Sequence, residues 1–438
     1  MRWIHFITAM ALFATTVASA HDSVPGVPQQ EPIALVGGKL FPISGPAIEN
    51  ATILFERGRI VAVGDKVKLP PKTRKIDVRG KHIYPSLFDA HTNLGLVEIP
   101  SVRATVDERE TGAINPNAEA IKAVNPDSEL LPVTRSNGVL LALTSPAGPL
   151  IAGKSTVIQL DGWTWEEMTL KQNAALHIFW PSMTPMRHWQ NPAPPKKQAE
   201  GRDKALQELK QAFADAAAYR TAREALGEKQ PIDARWEAML PVLRGEVPVM
   251  IHADELRQMQ AAIAFAAQHK LKLIIHGGYD AELCLDQLKA HRVPIVVEGT
   301  YRLPLRVGDD YDAPYTLPER LRKAGISFCI AGGGRHATEN SRNLPYQAAN
   351  GVAYGLPADA ALRAITLSPA EILGVSDRVG SLDVGKDATL FVASGDILAT
   401  DSQVEMAWIQ GREVDLNDRQ KRLWNKYQEK YRQLETKE

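Results

Sequence analysis

The chain has little cysteine: Cys284 and Cys329 are its two thiols in 438 residues. Two cysteines do not make a disulfide framework. Cys284 falls in a predicted helix and Cys329 in a predicted strand, so two buried thiols are expected, with a bridge only if their Cα atoms lie within ~7 Å. An excess of one charge is also missing. Lys plus Arg and Asp plus Glu each number 51, which removes the usual footprint of a nucleic-acid or anionic-membrane partner. Beyond the first twenty residues no stretch reaches the ~18 uninterrupted apolar residues of a membrane span. There is no solenoid repeat. What remains is a globular composition, 44% apolar and 23% charged, long enough for one large domain or two of ordinary size.

Residues 1–20 have the layout of a secretory signal peptide. Arg2 supplies the positive start, Ile4 to Val17 is mostly apolar, and Ala18-Ser19-Ala20 is a small-x-small cleavage site. No cysteine follows, so a lipid anchor is not expected. The expectation is an exported protein, periplasmic in a Gram-negative host.

Residues 21–84 alternate short apolar runs with glycine turns, as in Arg59-Ile-Val-Ala-Val-Gly64, and read as hairpins of a small sheet. Residues 379–416 have the same character, from Gly380-Ser-Leu-Asp-Val-Gly385 to Val404-Glu-Met-Ala-Trp-Ile409. The two ends are expected to form one small β-sandwich domain. Residues 85–378 alternate strand runs with helical stretches. Val139–Thr144, Val247–His252, Leu271–His276, Val293–Glu298 and Ile326–Ala331 are strands, with a helix over Asp254–His269. Such βαβ succession favours an α/β fold of (β/α)₈ TIM-like type over an open parallel sheet. Residues 100–128 and the proline-rich 181–202 read as long loops. Residues 417–438 carry Leu423, Tyr427, Tyr431 and Leu434 at helical spacing and read as a surface-docked amphipathic helix.

His252 and His276 each end an apolar strand, 24 residues apart with a helix between. That spacing fits adjacent parallel strands, with both imidazoles on the C-terminal rim where barrel enzymes keep their sites. His91 stands in Tyr84-Pro-Ser-Leu-Phe-Asp-Ala-His-Thr-Asn-Leu-Gly95, with Asn93 two residues on. Residues i and i+2 share a strand face, but an amide is a weak zinc ligand. Glu298 ends a further strand, and His336 follows Gly332-Gly-Gly334. Both are candidates for the general base. Lys154 reads as a solvated residue near a hairpin turn.

The His91 segment resembles the first-strand signature of the amidohydrolase superfamily, Pro-Gly-hydrophobe-hydrophobe-Asp-x-His-x-His. Gly58-Arg-Ile-Val-Ala-Val-Gly64, Asn343-Leu-Pro-Tyr-Gln-Ala-Ala349 and Ala364-Ile-Thr-Leu-Ser-Pro-Ala-Glu-Ile-Leu-Gly374 extend that likeness over about 33–414. It looks closest to the exported, imidazolonepropionase-like branch. The chain departs from the pattern at Asn93 and at the end of the eighth strand, where a metal-binding Asp is replaced by Ala331-Gly-Gly-Gly-Arg335. The resemblance implies that His91, His252 and His276 hold one divalent ion, zinc by preference. It also implies a metal-dependent hydrolase acting on non-peptide C–N bonds of a small-molecule substrate. The competing expectation is a non-catalytic paralogue that stabilises an active partner. A homo- or hetero-oligomer with another amidohydrolase fits either. A hinged two-domain solute-binding protein fits the clasping β-domain less well.

Overall fold

The computed structural model describes residues 24–185, 193–333 and 337–435. The expected signal peptide at 1–20 and the candidate His336 lie outside the described residues.

Strands β6 (Leu87–Thr92), β7 (Val139–Thr144), β8 (Leu150–Gln159), β9 (Thr169–Phe179), β10 (Val249–Ala253), β11 (Leu273–Gly277), β12 (Ile295–Glu298) and β13 (Phe328–Ala331) hydrogen-bond in chain order as one curved sheet. This is a nearly closed TIM-like barrel. Most neighbours are parallel, as crossover helices require. The helix Leu256–His269 between β10 and β11 shows how local sequence fixes such a unit. Glu255 and Gln258 form a capping box, and Lys270 stops the helix in the left-handed region.

The third stave departs from the expectation. β8 pairs antiparallel with both β7 and β9, because short hairpin connections stand where crossover helices would run. Lys154 therefore lies inside a barrel strand, not beside a turn. Its ammonium is buried and paired with Glu119 at 3.2 Å, which corrects the solvated reading. The segment Leu94–Ser128 is irregular but tightly stitched. Asn115 N–H donates to Ile151 O and Lys154 N–H to Ala118 O, while Ala147 N–H donates to Glu108 O. Thus the segment is bonded to the β7–β8 turn and to the first half of β8. The second expected loop ends early: a helix runs from Pro195 to Leu226, with proline at its first position, where no N–H is needed.

Phe88, Leu141, Val157, Ala175, Met250, Ile274, Val296 and Cys329 fill the barrel interior as one cluster. Strand side chains alternate, so two residues further along the same inward column continues. That step reaches His177, His252, His276 and Glu298. The barrel has a seam: among the described residues no ladder joins β13 to β6.

The small domain gathers β1 (Ile33–Leu40), β2 (Ile48–Glu56), β3 (Arg59–Gly64), β4 (Arg74–Asp77) and β5 (His82–Pro85) from one end. From the other come β14 (Leu390–Ala393), β15 (Val404–Ile409) and β16 (Arg412–Glu413). They form a single sheet in the order β16-β15-β14-β5-β1-β2-β3, with β4 also on β1. Four strand spacings of ~4.8 Å would put β2 and β15 about 19 Å apart in a flat sheet. Instead the Phe55 and Trp408 rings meet edge-on at 5.7 Å. The sheet folds over itself around Leu35, Ile53, Phe55, Leu390 and Trp408. Arg135 and Asp161, both buried, pair at 3.0 Å where the barrel meets this domain. Asp161 also accepts from Gly26 N–H, and Arg135 donates to the carbonyls of Leu160 and Asp415.

The helix at the C-terminal end forms over Arg419–Glu435, but no residue of it is buried. The expected docking does not occur. Its ties to the body, Arg422 to Glu129 and Lys421 to the Leu416 carbonyl, sit in its first turn. Trp424, Tyr427 and Tyr431 lie beyond them and face solvent. Cys284 and Cys329 are buried free thiols.

Candidate metal centre

β10 and β11 pair in register with His252 directly opposite His276. His91 reaches the same point from β6, whose ladder to β7 is irregular between Asp89 and Thr92. One ring nitrogen of each of His91, His252 and His276 lies within 4.8 Å of the others. The ring centroids are 4.0 Å apart for His91–His276, 4.5 Å for His252–His276 and 5.1 Å for His91–His252. The three imidazoles singled out in the sequence thus converge.

A fourth imidazole was missed. His177 of β9 is fully buried, and its Nδ1 lies 2.9 Å from Nε2 of His252. Phe179, next on the same column, stacks on His252 at 3.9 Å between centroids. A signal was available in Ala174-Ala-Leu-His-Ile-Phe179, an apolar run carrying a histidine near its end, like those of β10 and β11. Nε2 of His177 and Nε2 of His276 are buried without a hydrogen-bond partner among the described residues.

Burial depresses the pKa of all four rings, with repulsion between neighbouring imidazolium charges adding to it. His276 is pushed down to about 3, and the Arg302 charge contributes. The rings are therefore neutral at ordinary pH, the form in which imidazole donates a lone pair to a cation.

The other residues fall around this centre in different ways. Asn93 is not directed to it; its amide donates to the Ser145 carbonyl at 3.0 Å and ties β6 to β7. Glu298 is held by Arg302 at 3.4 Å, and Arg302 also meets Asp254 at 3.3 Å. The glycine run that follows β13 faces a carboxylate after all, one supplied by the first strand. Gly332 N–H donates to Asp89 at 2.8 Å, and His91 N–H donates to the same oxygen. This bond spans the barrel seam. Burial raises the Asp89 pKa to about 6 against these hydrogen bonds. A side chain at Gly332 would collide with Asp89.

A solved amidohydrolase from Thermotoga maritima MSB8 superposes with a TM-score of 0.77 at 25% identity, covering 87% of this chain and 99% of that one. The sequence model of the Amidohydrolase family matches residues 307–414. Together these likenesses support the amidohydrolase superfamily for this chain. Among curated amidohydrolase relatives, the amidohydrolase tasK of Hapsidospora irregularis is 26% identical over 194 residues, 42% of this chain and 19% of that protein. The imidazolonepropionase of Brucella anthropi is 28% identical over 148 residues, 33% of this chain and 35% of that protein. The aligned part is thus well under half the length of either relative.

The residues of this centre fit a bound metal. Neutral imidazole nitrogens are good zinc donors. Two of them are buried with no hydrogen-bond partner among the described residues, and a buried polar atom left unpaired is costly unless a ligand satisfies it.

Proposed function

We propose that this chain is an exported, metal-dependent hydrolase acting on non-peptide C–N bonds, cyclic amides among them, of a small-molecule substrate. One observation carries the reading: neutral imidazoles from separate barrel strands, His276 buried and His91 and His252 half-buried, converge at the mouth with no carboxylate partner among the described residues. His91, His252 and His276 would hold one divalent ion, zinc by preference. Such an ion, when bound, lowers the pKa of water to about 7 and polarises a carbonyl oxygen.

The surrounding residues have separate tasks. Glu298 ends the inward column of β12 and takes the proton of the attacking water, later returning it to the leaving nitrogen. Arg302 fixes the direction of that carboxylate. The Phe179 ring covers one side of His252 and excludes water there. Export rests on the leader-like residues 1–20 alone.

A second reading is a non-catalytic paralogue that stabilises an active amidohydrolase. It draws on the glycine at the end of the eighth strand and on the diversion of Asn93 to Ser145. Metal analysis of the purified chain, with turnover of a cyclic-amide panel, separates the two. Hydrolysis should depend on about one zinc per chain, and His252→Ala should lose both metal and at least a hundredfold in activity. Metal-free protein with no turnover, co-purifying with an active partner, would favour the second reading.

A further inference from the structure

We infer that a cleft beneath the barrel floor, where the barrel meets the small domain, binds a small phosphate monoester that carries a hydroxyl group. The site is separate from the metal centre and does not rest on that reading. β8 runs against β7 and sets Gln159 opposite Leu141, near the start of β7. The histidines of the metal centre stand at the other ends of their strands. Gln159 continues the inward column of Val157, which places it at the floor.

Two tight hairpins of the small domain come together there. The β2–β3 turn is Arg57-Gly58, with φ of 51° and 77°, and the β15–β16 turn is Gln410-Gly411, with φ of 48° and 73°. Positive φ at both central residues matches the twist of hairpin strands. The tips lie so close that a side chain on Gly58 would strike the Gln410 carbonyl. Between them and the barrel is a cleft of about 650 Å³, within the usual range for a small-molecule site.

Two features point to its occupant. The first is charge. Arg57, Arg59, Arg378 and Arg412 line the cleft, against the carboxylates of Glu167 and Asp387. Asp387 is buried and shared, meeting Arg59 at 2.9 Å and Arg378 at 2.8 Å. Arg412 reaches Asp161 at 3.8 Å, a carboxylate that Arg135 already holds at 3.0 Å. An excess of two positive charges is left in a chain that is neutral as a whole. A phosphate monoester carries about −1.5 to −2 charge at pH 7 with three acceptor oxygens, and guanidinium groups bind it through paired hydrogen bonds. One carboxylate would balance half of the excess.

The second feature is an unmet acceptor. Gln159 is 3% exposed. Its Nε2 donates to the Glu167 carbonyl at 2.9 Å, and its Oε1 is buried with no hydrogen-bond partner among the described residues. A phosphate dianion has no proton to offer that oxygen, whereas a hydroxyl on the esterified group does. The ligand is thus a phosphate ester of a hydroxylated carbon skeleton, its phosphate toward the arginines and its hydroxyl toward Gln159.

Isothermal titration calorimetry of the full chain with ribose 5-phosphate, inorganic phosphate and ribose tests the site. One ribose 5-phosphate is expected per chain, with inorganic phosphate weaker and ribose not binding. Arg57→Asn keeps a residue suited to the positive φ of the turn and should weaken both phosphates about tenfold. Gln159→Leu should lower ribose 5-phosphate to the affinity of inorganic phosphate and leave inorganic phosphate unchanged. No binding of ribose 5-phosphate at millimolar concentration would overturn the inference, as would wild-type affinity in either variant. Binding that disappears once a chelator has stripped the chain of metal would also overturn it, because the anion would then sit on the metal centre. Should Gln159→Leu fail to fold, as judged by circular dichroism, Arg57→Asn decides alone.

Discussion

Two buried polar clusters in this molecule invite comparison. At the junction of barrel and small domain, Arg135 and Asp161 pair at 3.0 Å, and neighbouring backbone groups take up their remaining hydrogen bonds. At the barrel mouth, four imidazoles crowd together, with two ring nitrogens unmatched among the described residues. The first cluster is complete in itself and joins two parts of the fold. The second is incomplete without something from outside. Burial lowers the basicity of Arg135 and of the histidines alike, so burial does not separate a structural cluster from a functional one. The state of the bonding does.

The strongest test removes a member of the finished cluster. Arg135→Ala leaves Asp161 buried without its partner, and breaking such a pair costs about 3–5 kcal/mol. Chemical denaturation should show that loss while zinc affinity stays unchanged. An equal loss of zinc affinity would mean the two clusters are coupled.

Asp89 lies between the two types: one oxygen accepts from the Gly332 and His91 N–H groups, while Ser341 is the side chain that approaches the carboxylate. Its pKa rises from 3.8 to about 6 on folding. Between those values the folded chain keeps a proton that the unfolded chain has lost. The stability it contributes is therefore full below pH 3.8 and is lost as pH rises through about 6. Two units correspond to about 3 kcal/mol. Asp89→Asn should gain about that much on the wild type between pH 4 and pH 7.5, read from melting curves. Parallel curves for the two proteins would contradict the assignment.

Completing the unfinished cluster should stabilise the fold. Zinc at a hundred times its dissociation constant adds about 2.7 kcal/mol, visible as a raised melting temperature that His276→Ala abolishes. The imidazoles also set the acid limit. The His276 pKa falls from 6.5 to about 3 on folding, so its contribution is full above pH 6.5, declines on acidification and is gone below about 3. A zinc-induced shift of the same size in His276→Ala would place the ion elsewhere.

The parallel part of the barrel was legible because β10 to β13 are continuous apolar runs, and two of them end in histidine. Their alternation and separation place His252 beside His276. The β7–β8–β9 sector was not legible. β9 carries Lys171-Gln-Asn173 in its first half, with Asn173 in the left-handed region, and this breaks the apolar pattern ahead of His177. A reversed strand between parallel neighbours leaves no mark in composition. Lys154 misled for the same reason, since its partner Glu119 belongs to a segment without periodicity. The Asp89–Gly332 bond joins residues 243 positions apart, a distance over which no local pattern speaks.

The stitched segment after His91 has a consequence for substrate choice. A stretch bonded to the β7–β8 turn and to the first half of β8 is held from swinging as a gate. The contour beside the imidazoles is cast while the chain folds, before any guest arrives, so its ordering cost falls on folding and not on binding. Selectivity in this quadrant is that of a mould, and altering it calls for recutting the segment and β8 together.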